Sequence, residues 1–105
     1  MKAERLTMIR QMLDQNPDDP FLKYAAALEY KKAGNISECI GLMQKLMIDH
    51  EDYLPVYFQY GKLLEEKGNI EEAIHIYKKG CDLAEKQNEM KTLRELKEAL
   101  VLLED

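Results

Sequence analysis

An all-α fold of stacked antiparallel helix hairpins is predicted by three features of the sequence. A seven-residue phrase occurs twice. Gly34-Asn35-Ile36-Ser37-Glu38-Cys39-Ile40 returns 34 residues later as Gly68-Asn69-Ile70-Glu71-Glu72-Ala73-Ile74, with five of the seven positions identical. A fixed interval of this size marks an array of short supersecondary units. Between the Gly and Pro breaks, apolar residues recur at spacings of three and four, the period of a helix face. Nowhere does the chain alternate apolar and polar residues as a half-buried strand would.

The elements follow in order. Glu4 to Gln15 carries Leu6, Ile9, Met12 and Leu13 on one face. Asn16-Pro17-Asp18-Asp19-Pro20 breaks the chain, because a residue before proline is pushed out of the helical region. Asp18 or Asp19 is placed to cap the next helix, with Pro20 at its first position. From Phe21 to Ala33 one side holds Leu22, Ala26, Ala27, Tyr30 and Ala33, and another holds Phe21, Tyr24 and Leu28. Gly34 and Gly68 are each expected to end a helix in the left-handed conformation. Asn35 and Asn69 are each expected to cap the next helix through their side chains, with Glu38 or Glu72 completing a capping box. Ile36 to Asp49 presents Ile36, Cys39, Ile40, Met43, Leu46 and Met47, and His50 to Leu54 is a polar connection ahead of Pro55. The next pair presents Val56, Tyr57, Tyr60, Gly61 and Leu64, then Ile70, Ala73, Ile74, Tyr77, Gly80 and Cys81. Glu85 to Glu89 is polar without a clean turn signal. A last helix, about Met90 to Leu103, bears Leu93, Leu96, Leu100 and Leu103.

Bulk properties bound the function. A chain of 105 residues is one domain by length, and 46% hydrophobic with 33% charged residues describes a folded helical protein rather than a disordered one. A net charge of −5 argues against a general nucleic-acid binder, which needs a basic stripe. The longest apolar runs, Ala25 to Leu28 and Ala99 to Leu103, are far short of a membrane span, and Lys2, Glu4 and Arg5 interrupt any secretory signal. A cytoplasmic protein is expected. Its two cysteines, Cys39 and Cys81, are read as buried free thiols, which suit a reducing compartment.

Chemistry is sparsely provisioned. His50 and His75 have no companion ligands at metal-binding spacing, and Ser37 has no neighbouring histidine. There is no phosphate-cradling glycine loop. Neither an enzyme nor a cofactor is expected. Gly41 sits inside a helical run, where it costs about 1 kcal/mol relative to Ala.

With the 34-residue interval, small residues at Ala27, Cys39, Gly61 and Ala73, Tyr30 and Leu64 after them, Gly34 and Gly68 at the turns, and Tyr77 in the second helix, the chain resembles the tetratricopeptide repeat. The second unit matches closely, with Tyr57, Tyr60 and Gly80 also in place. The first is looser, since Met43 and Leu46 stand where an aromatic and a small residue are usual. The resemblance implies an α-α superhelix, a right-handed stack of hairpins. Residues 4–16 would be an N-terminal half-repeat, 20–53 and 54–87 two repeats, and 88–105 a capping helix.

It also implies a protein-interaction module in which first helices line a concave groove for a peptide or partner helix. The groove residues implied by register are Phe21, Tyr24 and Leu28 from the first repeat and Phe58, Gln59 and Lys62 from the second, with Arg94 joining from the last helix. Packing against neighbouring helices is an equal reading for Tyr24 and Phe58. Aromatics flanked by Lys62 and Arg94 suit an apolar anchor with an acidic group. Family members that clamp a C-terminal carboxylate use Lys and Asn where this chain has Tyr24 and Leu28, so that activity is not expected. The alternative is self-association. Leu93, Leu96, Leu100 and Leu103 have the spacing of a helical seam between two copies, although packing on their own repeat is the simpler reading. The protein is thus expected to be a monomer or a homodimer.

Overall fold

A computed structural model describes residues 2–104, with side-chain surroundings described from Glu4 onward. Within this span the chain forms six helices and no strand: α1 (Lys2–Gln15), α2 (Pro20–Lys32), α3 (Ile36–Asp49), α4 (Pro55–Glu66), α5 (Ile70–Lys86) and α6 (Met90–Glu104). The chain divides into two compact units, Met1–Tyr53 and Leu54–Asp105. In the first, α2 packs on α1 and α3; in the second, α5 packs on α4 and α6. Short turns join these neighbours, which makes each pair an antiparallel hairpin.

Three turns share one geometry. Gly34 and Gly68 both have φ of 83°. At the first, the Gly34 N–H donates to the Lys31 carbonyl at 3.0 Å and the Asn35 N–H to the Tyr30 carbonyl at 2.9 Å. Gly68 and Asn69 repeat the pair with Glu65 and Leu64. These are Schellman closures, which satisfy carbonyls that the helix end would leave unpaired. The polar stretch before α6 holds a third. Asn88 takes φ of 57°, its N–H donates to Glu85, and the Glu89 N–H donates to Ala84. Asn is the residue other than Gly that adopts this conformation most readily.

Helix starts follow different rules. Asp19 is the N-cap of α2, its Oδ1 accepting from the Phe21 N–H at 2.9 Å and the Leu22 N–H at 3.3 Å, with Pro20 next. Asn35 and Asn69 do not act this way, contrary to the capping-box expectation for Glu38 and Glu72. Neither side chain makes a cap bond. The same two residues close the preceding Schellman turns, which holds ψ at 75° and 68° instead of the extended 113° from which Asp19 reaches its amides. Only their carbonyls join the new helices, accepting from Cys39 and Ala73.

The first unit buries Leu22, Ala26, Ala27, Cys39, Met43 and Leu46. Two charges are buried with them. Lys23 places its Nζ 3.6 Å from Asp49 Oδ2, tying α2 to the end of α3. Glu29 places Oε2 3.5 Å from Arg5 Nε and 3.3 Å from Lys32 Nζ, tying α2 to α1. Ala33 and Met12, expected inside, are exposed; Ala33 is the C-cap of α2.

The second unit buries Val56, Tyr57, Tyr60, Gly61 and Leu64 of α4 against Ala73, Tyr77, Gly80 and Cys81 of α5. Close approach is set by two glycines. A Cβ on Gly61 would stand 2.3 Å from Tyr77 Cε1, so the α4 backbone lies directly on the Tyr77 ring. A Cβ on Gly80 would stand 3.0 Å from Tyr57 Cβ and 3.1 Å from Leu96 Cδ1, so α5 is thin where both neighbours press on it. Leu93, Leu96 and Leu100 are buried within this unit. They are therefore unavailable to a seam between two copies, which corrects that use of the leucine spacing.

Candidate functional site

The second unit contains a cleft of about 320 Å³ between α4 and α6, floored by α5. Phe58 and Lys62 sit four residues apart on α4, so they share one helix face. Both line the cleft, with Glu65 one turn on, Tyr77 from α5, and Glu98 and Leu102 from α6. Glu95 and Ala99 complete the α6 wall.

Phe58 is held from two sides. Its ring lies 6.2 Å from the Tyr77 ring, tilted by 43°, and the Lys62 ammonium stands 5.6 Å from its centroid. The first contact is aromatic packing and the second a cation–π contact. Tyr77 is itself fully buried, and its hydroxyl donates to the Glu65 carboxylate. Burial, the bond to Glu65 and the negative charge of Glu66 all raise its pKa, so the phenol stays neutral in the folded protein. The aromatic part of the cleft is thus preorganised by Gly61, Tyr77 and Glu65 before anything binds. The charges around it are one lysine and three carboxylates, Glu65, Glu95 and Glu98.

The remaining candidates are distributed as follows. Gln59 is half-buried beside Phe58 and does not line the cleft. Arg94 lies on a different stripe of α6, with Met90, Lys97 and Val101. Phe21, Tyr24 and Leu28 belong to α2 of the first unit. Phe21 is 64% exposed at the helix start, and Leu28 is half-buried. Tyr24 is half-buried and meets Tyr53 edge-on at 5.5 Å.

Glu95, Ala99 and Leu102 carry no sequence motif. Their signal is positional: once Leu93, Leu96 and Leu100 define the buried face of α6, these three form an adjacent stripe. Among the described residues, no three His, Cys, Asp or Glu side chains converge as a metal site would require. Both cysteines are buried, and burial raises their pKa values, the smaller effects of Lys31 on Cys39 and Lys97 on Cys81 acting the other way. Among the same residues, no helix is long and apolar enough to cross a membrane.

Comparisons with known proteins follow the same lines. Residues 54–87, the α4–α5 hairpin with its flanking turns, match the family model described as tetratricopeptide repeat. The comparison with curated proteins gives no match. A crystal structure of a tetratricopeptide repeat domain protein from Salinibacter ruber is 35% identical, covers 82% of this chain and 96% of that one, and superposes with a TM-score of 0.78. A solution NMR structure of a tetratricopeptide repeat domain protein from the same organism is also 35% identical, covering 84% and 89% of the two chains with a TM-score of 0.80. With the 34-residue period, the helix hairpins and Gly61 seated on Tyr77, these likenesses show that the chain belongs to the tetratricopeptide repeat family.

Proposed function

We propose that this protein is a non-enzymatic adaptor that binds a peptide segment or partner helix through the first-helix faces of its repeats. Tetratricopeptide repeats generally mediate protein–protein interaction. The observation that carries the reading to particular residues is the cleft in which Phe58 and Lys62 of α4 face Leu102 and Ala99 of α6. An apolar side chain entering it meets Phe58, Ala99 and Leu102, and the carboxylates at its edge favour a basic neighbour on the ligand. That charge preference is opposite to the one inferred from Lys62 and Arg94 alone, because Arg94 lies away from the cleft. Gln59 is a further contact proposed for a longer ligand on the second unit, and Phe21, Tyr24 and Leu28 of α2 are proposed as a binding face of the first unit by itself. The cytoplasm is the proposed compartment.

Partner capture with the double variant Phe58→Ala, Glu95→Lys, which removes the aromatic wall and reverses one of the cleft's carboxylates, tests the proposal. The variant is expected to lose the partners held by the unaltered protein while keeping its helical circular dichroism. Undiminished capture would move the binding surface elsewhere.

A further inference from the structure

We infer that α6 carries a second interaction surface, distinct from the aromatic part of the cleft, and that its occupant is a second copy of this chain. The buried side of α6 is given by Leu93, Leu96 and Leu100. Next to it, with Leu93 on the shared edge, Met90, Arg94, Lys97, Glu98, Val101 and Leu102 recur at helical spacing along an open apolar groove. Met90 is 54% exposed, Val101 61% and Leu102 79%; these are three of the eight large exposed hydrophobics among the described residues, gathered on one helix. Single exposed apolar residues are ordinary, but a stripe of them on one helix is the usual mark of a contact surface.

The order of charges selects the occupant. Along this surface the cations Arg94 and Lys97 come first and the anion Glu98 follows, while Glu104 beyond them is paired with Lys78 of α5. A parallel copy would set like against like. An antiparallel copy, related by a two-fold axis near residue 96, brings the Arg94 position of each helix to the Glu98 position of the other. Arg94 of each copy then stands opposite Glu98 of the other on the same flank, and the Met90 end of each meets the Val101–Leu102 end of the other. The surface is self-complementary, as a two-fold interface must be. Lys97 falls near the axis beside its own copy, and its long stem carries the ammonium out to solvent. The stripe from Met90 to Leu102 is about 18 Å long at 1.5 Å per residue. A single helix pair of that length is a small interface, so association belongs in the micromolar range. Glu98 and Leu102 also edge the α4–α6 cleft, so pairing and cleft occupancy compete for them.

Light scattering coupled to size exclusion, with the unaltered protein raised from about 5 to about 500 µM, gives the test. The mass is expected to rise from 12.3 kDa toward twice that value. Arg94→Glu alone and Glu98→Arg alone each place like charges across the axis, and each is expected to weaken pairing at least about tenfold. The double variant Arg94→Glu, Glu98→Arg restores opposite charges and is expected to restore the dimer. Helical circular dichroism of each variant shows that it is folded. A mass fixed at 12.3 kDa over the whole range overturns the inference. So does a dimer that neither single variant weakens, or one that the double variant fails to recover.

Discussion

Replacing Gly61 by Ala asks whether the family's small position is needed for contact or is incidental. An added Cβ would stand 2.3 Å from Tyr77 Cε1, 2.7 Å from Cδ1 and 2.8 Å from Cζ, where ordinary contact begins at 3.4 Å. Ring or helix must therefore retreat by about 1 Å, a large shift in a close-packed interior. The ring has little room to do so, since it is fully buried, its hydroxyl is bound to Glu65, and Phe58 lies against it. Overpacking of this severity costs about 3 kcal/mol, and the better helix propensity of Ala returns about 1 kcal/mol. The expected net loss is about 2 kcal/mol, or a melting temperature lower by about 8 °C for a chain of this size. Gly41 is the matched control. It lies inside α3, is exposed, and would have nothing within 4 Å of its Cβ. The same substitution there is expected to stabilise by about 1 kcal/mol. Urea denaturation followed by circular dichroism measures both. Opposite signs at the two glycines are predicted. A Gly61→Ala protein as stable as Gly41→Ala would refute the close approach of α4 to Tyr77.

Three further outcomes are expected. Asp19→Ala removes both side-chain bonds at the start of α2 and should cost about 1 kcal/mol, read from the urea midpoint. Gly68→Ala places a side chain at φ of 83° and should cost about 1–2 kcal/mol by the same measurement, without a clash, since nothing lies within 4 Å. Because the folded pKa of Tyr77 is raised above the unfolded value near 10, the unfolded chain releases that proton first. The stability it contributes is present below about pH 10 and falls as pH rises beyond it. Tyr77→Phe should be less stable at pH 7 yet lose less between about pH 9 and 11, whereas equal alkaline losses would count against the Tyr77–Glu65 account.

Much of this was legible because local chemistry and tertiary packing agree. Gly34 and Gly68 mark their turns since only a residue without Cβ takes φ of 83° freely, and Ala73, Tyr77 and Leu64 fall on the faces their spacing indicates. The third turn was hidden because Asn88 does the same work inside a run of polar residues, where an Asn carries no distinctive signal. Asn35 and Asn69 misled for a related reason. Their type suits a side-chain cap, but closing one helix fixes the backbone from which the next begins. No local signal marks Lys23 and Glu29 for burial, since the partners that tie them to neighbouring helices, Asp49 and Arg5, lie 26 and 24 residues away in sequence. Of the cleft, Phe58 and Lys62 of the α4 wall were implied by the register of the family resemblance. The α6 wall was not, because α6 starts 35 residues after α4 and turns Glu95, Ala99 and Leu102 toward Phe58 in place of Arg94.

The central claim is that a partner binds through the α4–α6 cleft. Amide chemical-shift mapping of the labelled protein against a captured partner fragment tests it most directly. The account predicts shifts centred on Phe58, Lys62, Ala99 and Leu102, lost with Phe58→Ala, Glu95→Lys. Shifts that leave these four residues untouched and cluster elsewhere would contradict it.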